Sequence, residues 1–105
     1  MSQGSARASL YVIHSADPSV QGQAYPIGPE GLSLGREEGN GVVIASDQAS
    51  RRHARILVVA GGHVLQDLDS TNGTFVNSKP VKEQPLRHGD VLRIASTVMK
   101  YVVEG

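Results

Sequence analysis

Short apolar runs, broken every several residues by turn-forming residues, constrain the fold of this chain more than any other feature of its sequence. The runs are rich in Val, Ile, Leu and Tyr, which favour β-strands: LYVIH, LSL, GVVI, ARILVVA, HVLQDL, TFV, VLRIA and VMKYVV. The segments between them, such as SADPS, REEGNG, STNG and RHGD, are typical of turns. No stretch keeps apolar residues at the spacing of an amphipathic helix. The sequence therefore predicts an all-β sandwich or barrel.

The length of the chain, 105 residues, fits one domain with one core and is too short for two. Residues 1–8 are small and mostly polar, so we expect a disordered N-terminal tail there and a folded domain over residues 9–105. The twelve glycines and five prolines are spread among the turn segments, and no linker or internal repeat divides the chain.

The balance of charge and the absence of cysteine exclude several classes of function. Ten basic residues face ten acidic ones, so the chain as a whole has no field to hold nucleic acid or an anionic membrane. Without cysteine there is no disulfide framework and no thiolate metal site. The first dozen residues lack the apolar region of a signal peptide, and no apolar run is long enough to span a membrane as a helix. We expect a cytoplasmic protein.

Positive charge and hydrogen-bond donors nevertheless concentrate in three polar segments. These are LGREEGNG (34–41), SRRH (50–53) and LDSTNGTFVN (68–77). Each follows or precedes an apolar run, so each is predicted to be a loop beside a strand. Because the loops of a β-sandwich cluster at its two ends and carry binding function, these segments predict one local anion site.

These segments resemble, in residues and in order, the signature of the forkhead-associated (FHA) domain. The matching pieces are Gly35-Arg36, then Ser50 to His53, then Ser70 to Thr74 followed by Asn77. Each piece is weak alone, but together at these spacings they are specific, and the resemblance extends from Leu10 to Val103. It implies an eleven-stranded β-sandwich that binds phosphothreonine peptides through loops at one end.

The resemblance assigns phosphopeptide contacts to Arg36, Ser50, Arg51, Arg52, Thr71 and Asn72. Arg36 and Ser50 are the expected phosphate ligands, and Arg51 corresponds to the basic or polar residue beside that serine. Thr71 is expected to line the pocket and Asn72 to hold the ligand backbone. Arg52, like Arg55, has an alternative interpretation as solvated surface.

A second group, Gly35, His53, Gly73 and Asn77, resembles residues that shape the loops. A histidine where a loop meets a strand is most simply a hydrogen-bonded structural residue. The sequence departs from the family pattern at Ala49, where a larger aliphatic residue is common, and at Ala95, where glycine often ends the strand. We expect both departures to affect packing and not phosphate binding.

The chemistry of a phosphothreonine agrees with these residue types. The phosphate carries about −1.5 to −2 charge and three acceptor oxygens, so its receptor needs a cation and several donors at fixed positions. The planar fork of arginine donates two parallel bonds to phosphate oxygens. Hydroxyl donors complete the shell without adding repulsive charge. A local cationic site in a neutral chain is therefore expected for a single dianionic ligand.

Three other interpretations of the same residues are weaker. Ser50 with His53, and Asp67 or Asp90 as a third member, suggests a small hydrolase, but the strand-elbow-helix context of a nucleophilic serine is missing. The four histidines are scattered without the close pair spacing of a metal site: His14, His53, His63 and His88. The segment GREEGNG lacks the Gly-Lys-Ser/Thr ending of a nucleotide P-loop. Asn72-Gly73 has a further interpretation that is compatible with binding: on its own it is most simply a hairpin turn, which would present Asn72.

The sequence thus predicts a phosphothreonine-dependent interaction module, part of a larger signalling protein, and not an enzyme. Its expected partner is a phosphothreonine-containing protein or peptide, with no cofactor, metal, nucleic acid, membrane or small-molecule substrate. The alternative is an FHA-like scaffold that binds its partner through another face, independently of phosphate.

Overall fold

A computed structural model describes residues 7–104, which form eleven β-strands. The strands are β1 (Arg7–His14), β2 (Ala24–Pro26), β3 (Leu32–Gly35), β4 (Val42–Val43), β5 (Ala54–Val59), β6 (Gly62–Asp67), β7 (Thr74–Val76), β8 (Lys79–Val81), β9 (Glu83–Pro85), β10 (Val91–Ile94) and β11 (Thr97–Glu104). The predicted all-β class and the number of strands are confirmed. Residues 7–104 contain no helix that could cross a membrane.

The strands form two sheets. One has six strands in the order β2-β1-β11-β10-β7-β8, and the other has five in the order β4-β3-β5-β6-β9. Neighbouring strands are antiparallel except for β3 and β4. The longest pairing joins β1 to β11, from Arg7 opposite Glu104 to His14 opposite Val98, with a bulge near the end of β1.

The core lies between the sheets because successive residues of a strand point to opposite faces. In β1, Ala8, Leu10 and Val12 are buried, whereas Tyr11 and Ile13 between and after them are exposed. The other sheet contributes inward-facing residues in the same way. The fully buried large apolar side chains include Leu10, Leu34, Ile44, Ile56, Leu65, Leu92, Ile94 and Met99.

Three strands that the apolar pattern did not predict, β2, β8 and β9, lie at sheet edges. Each contains a proline: Pro26, Pro80 and Pro85. Proline has no N–H to donate to a ladder, so within sheets it is confined to edges, strand ends and bulges. These segments resemble turns in sequence because an edge strand does not need an apolar run.

The hairpin interpretation of Asn72-Gly73 is wrong. The strands on either side of it, β6 and β7, belong to different sheets, so this loop crosses from one sheet to the other. The two-residue hairpin is instead Asn77-Ser78, between β7 and β8, where Val76 pairs with Lys79. Both hairpin residues have positive φ, 51° and 72°, which is typical of a type I′ turn.

The predicted tail, residues 1–8, falls mostly on residues 1–6, which lie outside the described residues. Strand β1 begins at Arg7, so it includes the last two residues of the predicted tail.

Candidate functional site

Three loops meet at one end of the sandwich, where β3 and β6 end and where β5 and β7 begin. We call residues 36–41 the arginine loop, residues 44–53 the serine loop and residues 68–73 the asparagine loop. These loops contain the segments that the sequence singled out, apart from the strand residues at their ends.

Hydrogen bonds join the three loops. The backbone N–H of Arg36 donates to the carbonyl of Ser50 over 3.0 Å, which connects the arginine and serine loops. The N–H of Thr71 donates to Ser50 Oγ over 3.2 Å. Asn72 Nδ2 donates to the carbonyl of Gln48 over 2.8 Å. The serine loop is therefore the common partner of the other two.

Arg36 carries an exposed side chain whose position is partly fixed. Its Nε donates to the carbonyl of Ala49 over 3.1 Å. The two terminal guanidinium nitrogens have no hydrogen-bond or ion-pair partner among residues 7–104. The arrangement leaves a pair of parallel donors for an anion.

The hydroxyl of Ser50 lies where the serine loop meets the asparagine loop. Because its Oγ accepts a hydrogen bond from the N–H of Thr71, the hydroxyl proton remains able to donate elsewhere. The side chain of Thr71 is exposed beside it. The Ser50 hydroxyl thus lies next to the backbone of Thr71, where the serine and asparagine loops meet.

His53 lies beneath the loops and is fully buried. Its Nδ1 accepts the backbone N–H of Ser50 over 3.0 Å, and its Nε2 lies 2.8 Å from the carbonyl oxygen of Gly73. Since an N–H only donates and a carbonyl only accepts, these two partners require a neutral ring with its proton on Nε2. The imidazole binds the backbone of Ser50 and not its hydroxyl, so the two side chains do not form a nucleophile and base pair.

Asp67 braces the asparagine loop at the point where β6 ends. Its carboxylate is buried, and it accepts hydrogen bonds from the N–H and hydroxyl of Ser70 and, over 2.6 Å, from the hydroxyl of Thr74. Burial acts to raise the pKa of this carboxyl, but the bonds from Ser70 and Thr74, with Lys82 at 3.6 Å, outweigh it and hold the pKa below its ordinary value. Asp67 is therefore a charged residue whose hydrogen bonds stabilise the asparagine loop.

Gly35 and Gly73 each meet a requirement of the backbone. A Cβ at Gly35 would collide with the carbonyl oxygen of Arg51, so glycine is needed where the first two loops approach each other. Gly73 has a φ of 91°, a conformation that side chains rarely adopt. Both residues lie at the three loops.

Asn77 lies at the other end of β7, away from the three loops. Its Nδ2 donates to Asp90 Oδ1, and its Oδ1 accepts the N–H of Val91, each over 3.0 Å. It therefore joins the β7–β8 hairpin to the start of β10 and does not shape the three-loop site.

The two alanines that depart from the family pattern have different effects. Ala49 is buried, and its carbonyl is the acceptor for Arg36. Ala95 has a φ of 56°, in the left-handed region where glycine is favoured. The departure at Ala95 therefore affects backbone conformation, whereas packing was expected.

Arg51 and Arg52 are both exposed but differ in their surroundings. The carbonyl of Arg51 accepts hydrogen bonds from the N–H of Glu37 and from Asn40 Nδ2, which ties the arginine loop to the serine loop. The guanidinium of Arg52 lies 4.0 Å from the carboxylate of Glu37, with both side chains largely exposed. Arg52 also lines a cavity on the outer face of the five-stranded sheet.

Two residues with structural roles at the site were not predicted as such. Asp67 was considered only as the third member of a catalytic triad, although an aspartate three residues before a serine is a pattern for local side-chain-to-backbone bonds. Gln48 gave no sequence signal, because its main contribution is a backbone carbonyl.

The amino-acid sequence of this chain also matches known proteins. The FHA domain family model matches residues 32–95. The chain is 40% identical over 68 residues to the ABC transporter ATP-binding/permease protein Rv1747 of Mycobacterium tuberculosis, covering 65% of this chain and 8% of the transporter. It is 34% identical over 76 residues to the transcriptional regulatory protein EmbR of the same organism, covering 71% of this chain. The chain spans only 20% of EmbR, so these relatives are much longer proteins.

Solved structures give the same relationship. EmbR of Mycobacterium tuberculosis in complex with a low-affinity phosphopeptide matches with a TM-score of 0.84 and 29% identity, over 95% of this chain and 25% of that one. A domain from a study of phosphothreonine-dependent FHA domain interactions matches with a TM-score of 0.82 and 30% identity, over 94% of this chain and 98% of that one.

Proposed function

Because the chain belongs to the FHA domain family, we propose that it binds phosphothreonine-containing segments of other proteins through the three loops at one end of its sandwich. The similarity to a domain studied for phosphothreonine-dependent interactions and to EmbR, whose structure contains a phosphopeptide, supports this ligand. The proposed module is one part of a larger cytoplasmic signalling protein.

The observation that carries the proposal is the combination of an available cation, Arg36, with a hydroxyl donor in a fixed position, Ser50. Arg36 offers two terminal nitrogens without partners among residues 7–104, and Ser50 offers a hydroxyl whose oxygen is already held by the N–H of Thr71. A phosphate dianion needs such a cation and such donors. The positions of these groups are set by backbone contacts, so they require little reorganisation on binding.

We assign roles to the loop residues on this basis. Arg36 and Ser50 bind the phosphate, and Arg51 adds positive charge beside it. Thr71 lines the pocket for the phosphothreonine. The side-chain nitrogen of Asn72 is engaged by Gln48, which leaves its oxygen to accept an N–H from the ligand backbone.

The strength of binding follows from a few charged hydrogen bonds. Each contributes about 1.5–3 kcal/mol, and a micromolar complex requires about 8 kcal/mol after the cost of ordering the peptide. A few such bonds therefore supply a large share of the binding free energy. We propose binding and not catalysis because both ring nitrogens of His53 are engaged by backbone groups, which leaves no base for the Ser50 hydroxyl.

The proposal is tested with peptide libraries that share random flanking residues and differ at one fixed position. That position carries phosphothreonine, phosphoserine, threonine or glutamate. We expect retention of the phosphothreonine library. The phosphoserine library should bind about ten- to two-hundredfold more weakly, because one methyl group contributes about 1–3 kcal/mol in a fitted pocket. Glutamate should fail because it has less charge and fewer acceptor oxygens. Equal retention of the threonine library would contradict the proposal and favour a phosphate-independent scaffold.

A further inference from the structure

Two rows of side chains cross the six-stranded sheet on the face that points away from the core. Residues directly opposite each other in a ladder lie on the same face of a sheet, so the pairings define the rows. The first row, across β1, β11 and β10, consists of Tyr11, Lys100 and Val91. The second row, across β11, β10, β7 and β8, consists of Val98, Arg93, Phe75 and Pro80. We call the residues of these two rows the outer-face patch.

The outer-face patch is apolar apart from its two cations. Tyr11 is 44% exposed, Pro80 is exposed, and Val91, Val98 and Phe75 are half-buried. Soluble monomers rarely expose large contiguous apolar patches. Tyrosine, phenylalanine and arginine are also enriched where proteins bind each other. The residue types of the patch therefore indicate a surface that binds another protein.

The two cations lie at the centre of the patch, and one of them is held in place. The guanidinium carbon of Arg93 lies 4.2 Å from the centre of the Phe75 ring, and its Nη1 donates to the carbonyl of Ala95 over 3.1 Å. Its other two nitrogens have no hydrogen-bond or ion-pair partner among residues 7–104, and neither has the exposed amine of Lys100. Because Lys100 lies opposite Val91, the two cations are diagonal neighbours, about 7–8 Å apart. Together they can bind two carboxylates.

The charge of this sheet is positive, although the chain as a whole is neutral. The six strands contain four basic residues, Arg7, Lys79, Arg93 and Lys100, and one acidic residue, Glu104. Glu104 lies at the end of β11, opposite Arg7, so it leaves the two central cations unbalanced. The patch is therefore complementary to an acidic surface. A second copy of the chain bound face to face would bring like charges together.

We propose that the outer-face patch binds an acidic segment of another protein, in which carboxylates lie between apolar side chains. The carboxylates pair with Arg93 and Lys100, and the apolar side chains pack against Tyr11 on one side and Phe75 on the other. A lipid surface fits less well, because electrostatic attachment to an anionic membrane takes about four to eight basic residues. This binding is separate from the proposed phosphothreonine binding, since the patch contains none of the residues assigned to the phosphopeptide.

The test is a display library of random unphosphorylated peptides, selected on the folded wild-type chain, on Lys100→Glu and on the control Lys79→Glu. Lys79 undergoes the same change of charge, but it pairs with the buried Val76 and so lies on the other side of the sheet. The wild type and the control should enrich peptides with Asp or Glu beside aliphatic or aromatic residues, and Lys100→Glu should not. A synthetic copy of one enriched peptide should bind Lys100→Glu about three- to thirtyfold more weakly than the wild type, because an attraction becomes a repulsion. Tyr11→Ser should weaken its binding at least about fivefold.

Nuclear magnetic resonance locates the bound peptide. Adding the peptide to the isotope-labelled wild type should shift the amide resonances of β1, β10 and β11 around Lys100 and leave those of the three loops unchanged. Shifts centred on the three loops would mean that the peptide occupies the proposed phosphate site, and the inference would be wrong.

Three other results would also overturn the inference. If acidic peptides are not enriched by the wild type, or are enriched equally by Lys100→Glu, the patch does not bind such segments. If the chain sediments with vesicles of phosphatidylserine and phosphatidylcholine and Lys100→Glu does not, the patch binds a membrane. If the wild type dimerises with rising concentration in analytical ultracentrifugation and Tyr11→Ser does not, the patch binds a second copy of the chain.

Discussion

Replacing His53 with alanine removes the fully buried ring that joins the serine loop to the asparagine loop. The variant loses the bonds to the N–H of Ser50 and to the carbonyl of Gly73, each contributing about 1 kcal/mol. Truncating a buried side chain of this size adds about 2–3 kcal/mol for lost packing and the remaining cavity. We therefore expect the free energy of unfolding to fall by about 4–5 kcal/mol, out of about 5–15 kcal/mol for a domain of this size.

Urea unfolding and thermal melting measure this loss. At about 4–5 °C per kcal/mol for a domain of about 100 residues, the Tm should fall by roughly 15–25 °C. The matched control is His14→Ala, because His14 has an exposed side chain and its loss should cost less than about 0.5 kcal/mol. A loss below about 1 kcal/mol for His53→Ala, or an equal loss for the control, would refute the assignment of His53 as the link between the loops.

Changes at three further residues test features away from the site. Thr97→Val should raise the free energy of unfolding, measured in urea, by about 1 kcal/mol, because the buried Thr97 hydroxyl has no hydrogen-bond partner among residues 7–104. A destabilised variant would contradict this. Ser78 has a φ of 72°, so Ser78→Gly should raise the free energy of unfolding by about 0.5–1 kcal/mol, whereas Ser78→Ala should give no gain. Equal effects of the two variants would mean that the turn is unstrained. Burial lowers the pKa of His63, which bonds to Tyr101 over 2.6 Å, so the folded state holds the neutral ring. The stability due to His63 should be present above about pH 6.5 and should decline as the pH falls through that value. In thermal melts from pH 7.5 to 5, His63→Gln should remove this part of the decline. An unchanged pH profile would exclude His63 as a source of the decline.

The strands with an alternating or continuous apolar pattern could be predicted from the sequence. In β1, burial alternates from Ala8 to Val12 because one face meets the core and the other meets solvent. The strands β2, β8 and β9 could not, because they are short, proline-containing edges. The apolar side chains they pack against the core are single residues, Tyr25 in β2 and Val81 in β8, which make no recognisable pattern.

The three polar segments predicted one local anion site, but the role of each residue in it could be predicted only through the resemblance to a family. Arg36, Ser50 and Thr71 are far apart in sequence, and the structure joins their loops through backbone contacts that no local pattern encodes. For the same reason the sequence did not reveal that Asn72 bonds to the carbonyl of Gln48, or that Asn77 lies at the opposite end of its strand.

The most direct test of phosphate recognition is a calorimetric titration of two proteins, the wild type and Arg36→Ala. Each is titrated with one phosphothreonine peptide from the library and with its unphosphorylated counterpart. Arg36 is exposed and makes one side-chain bond, to Ala49, so its loss should change the Tm by no more than about 2–4 °C. Removing the cation that pairs with the phosphate should cost at least about 2–3 kcal/mol, which weakens binding about 30- to 150-fold or more. The account predicts that the wild type and the control Arg87→Ala, whose arginine lies in the β9–β10 loop at the opposite end of the sandwich, both bind the phosphorylated peptide tightly and the unphosphorylated one weakly, whereas Arg36→Ala binds neither tightly. Undiminished binding of the phosphopeptide by a folded Arg36→Ala, or equal binding of both peptides by the wild type, would contradict it.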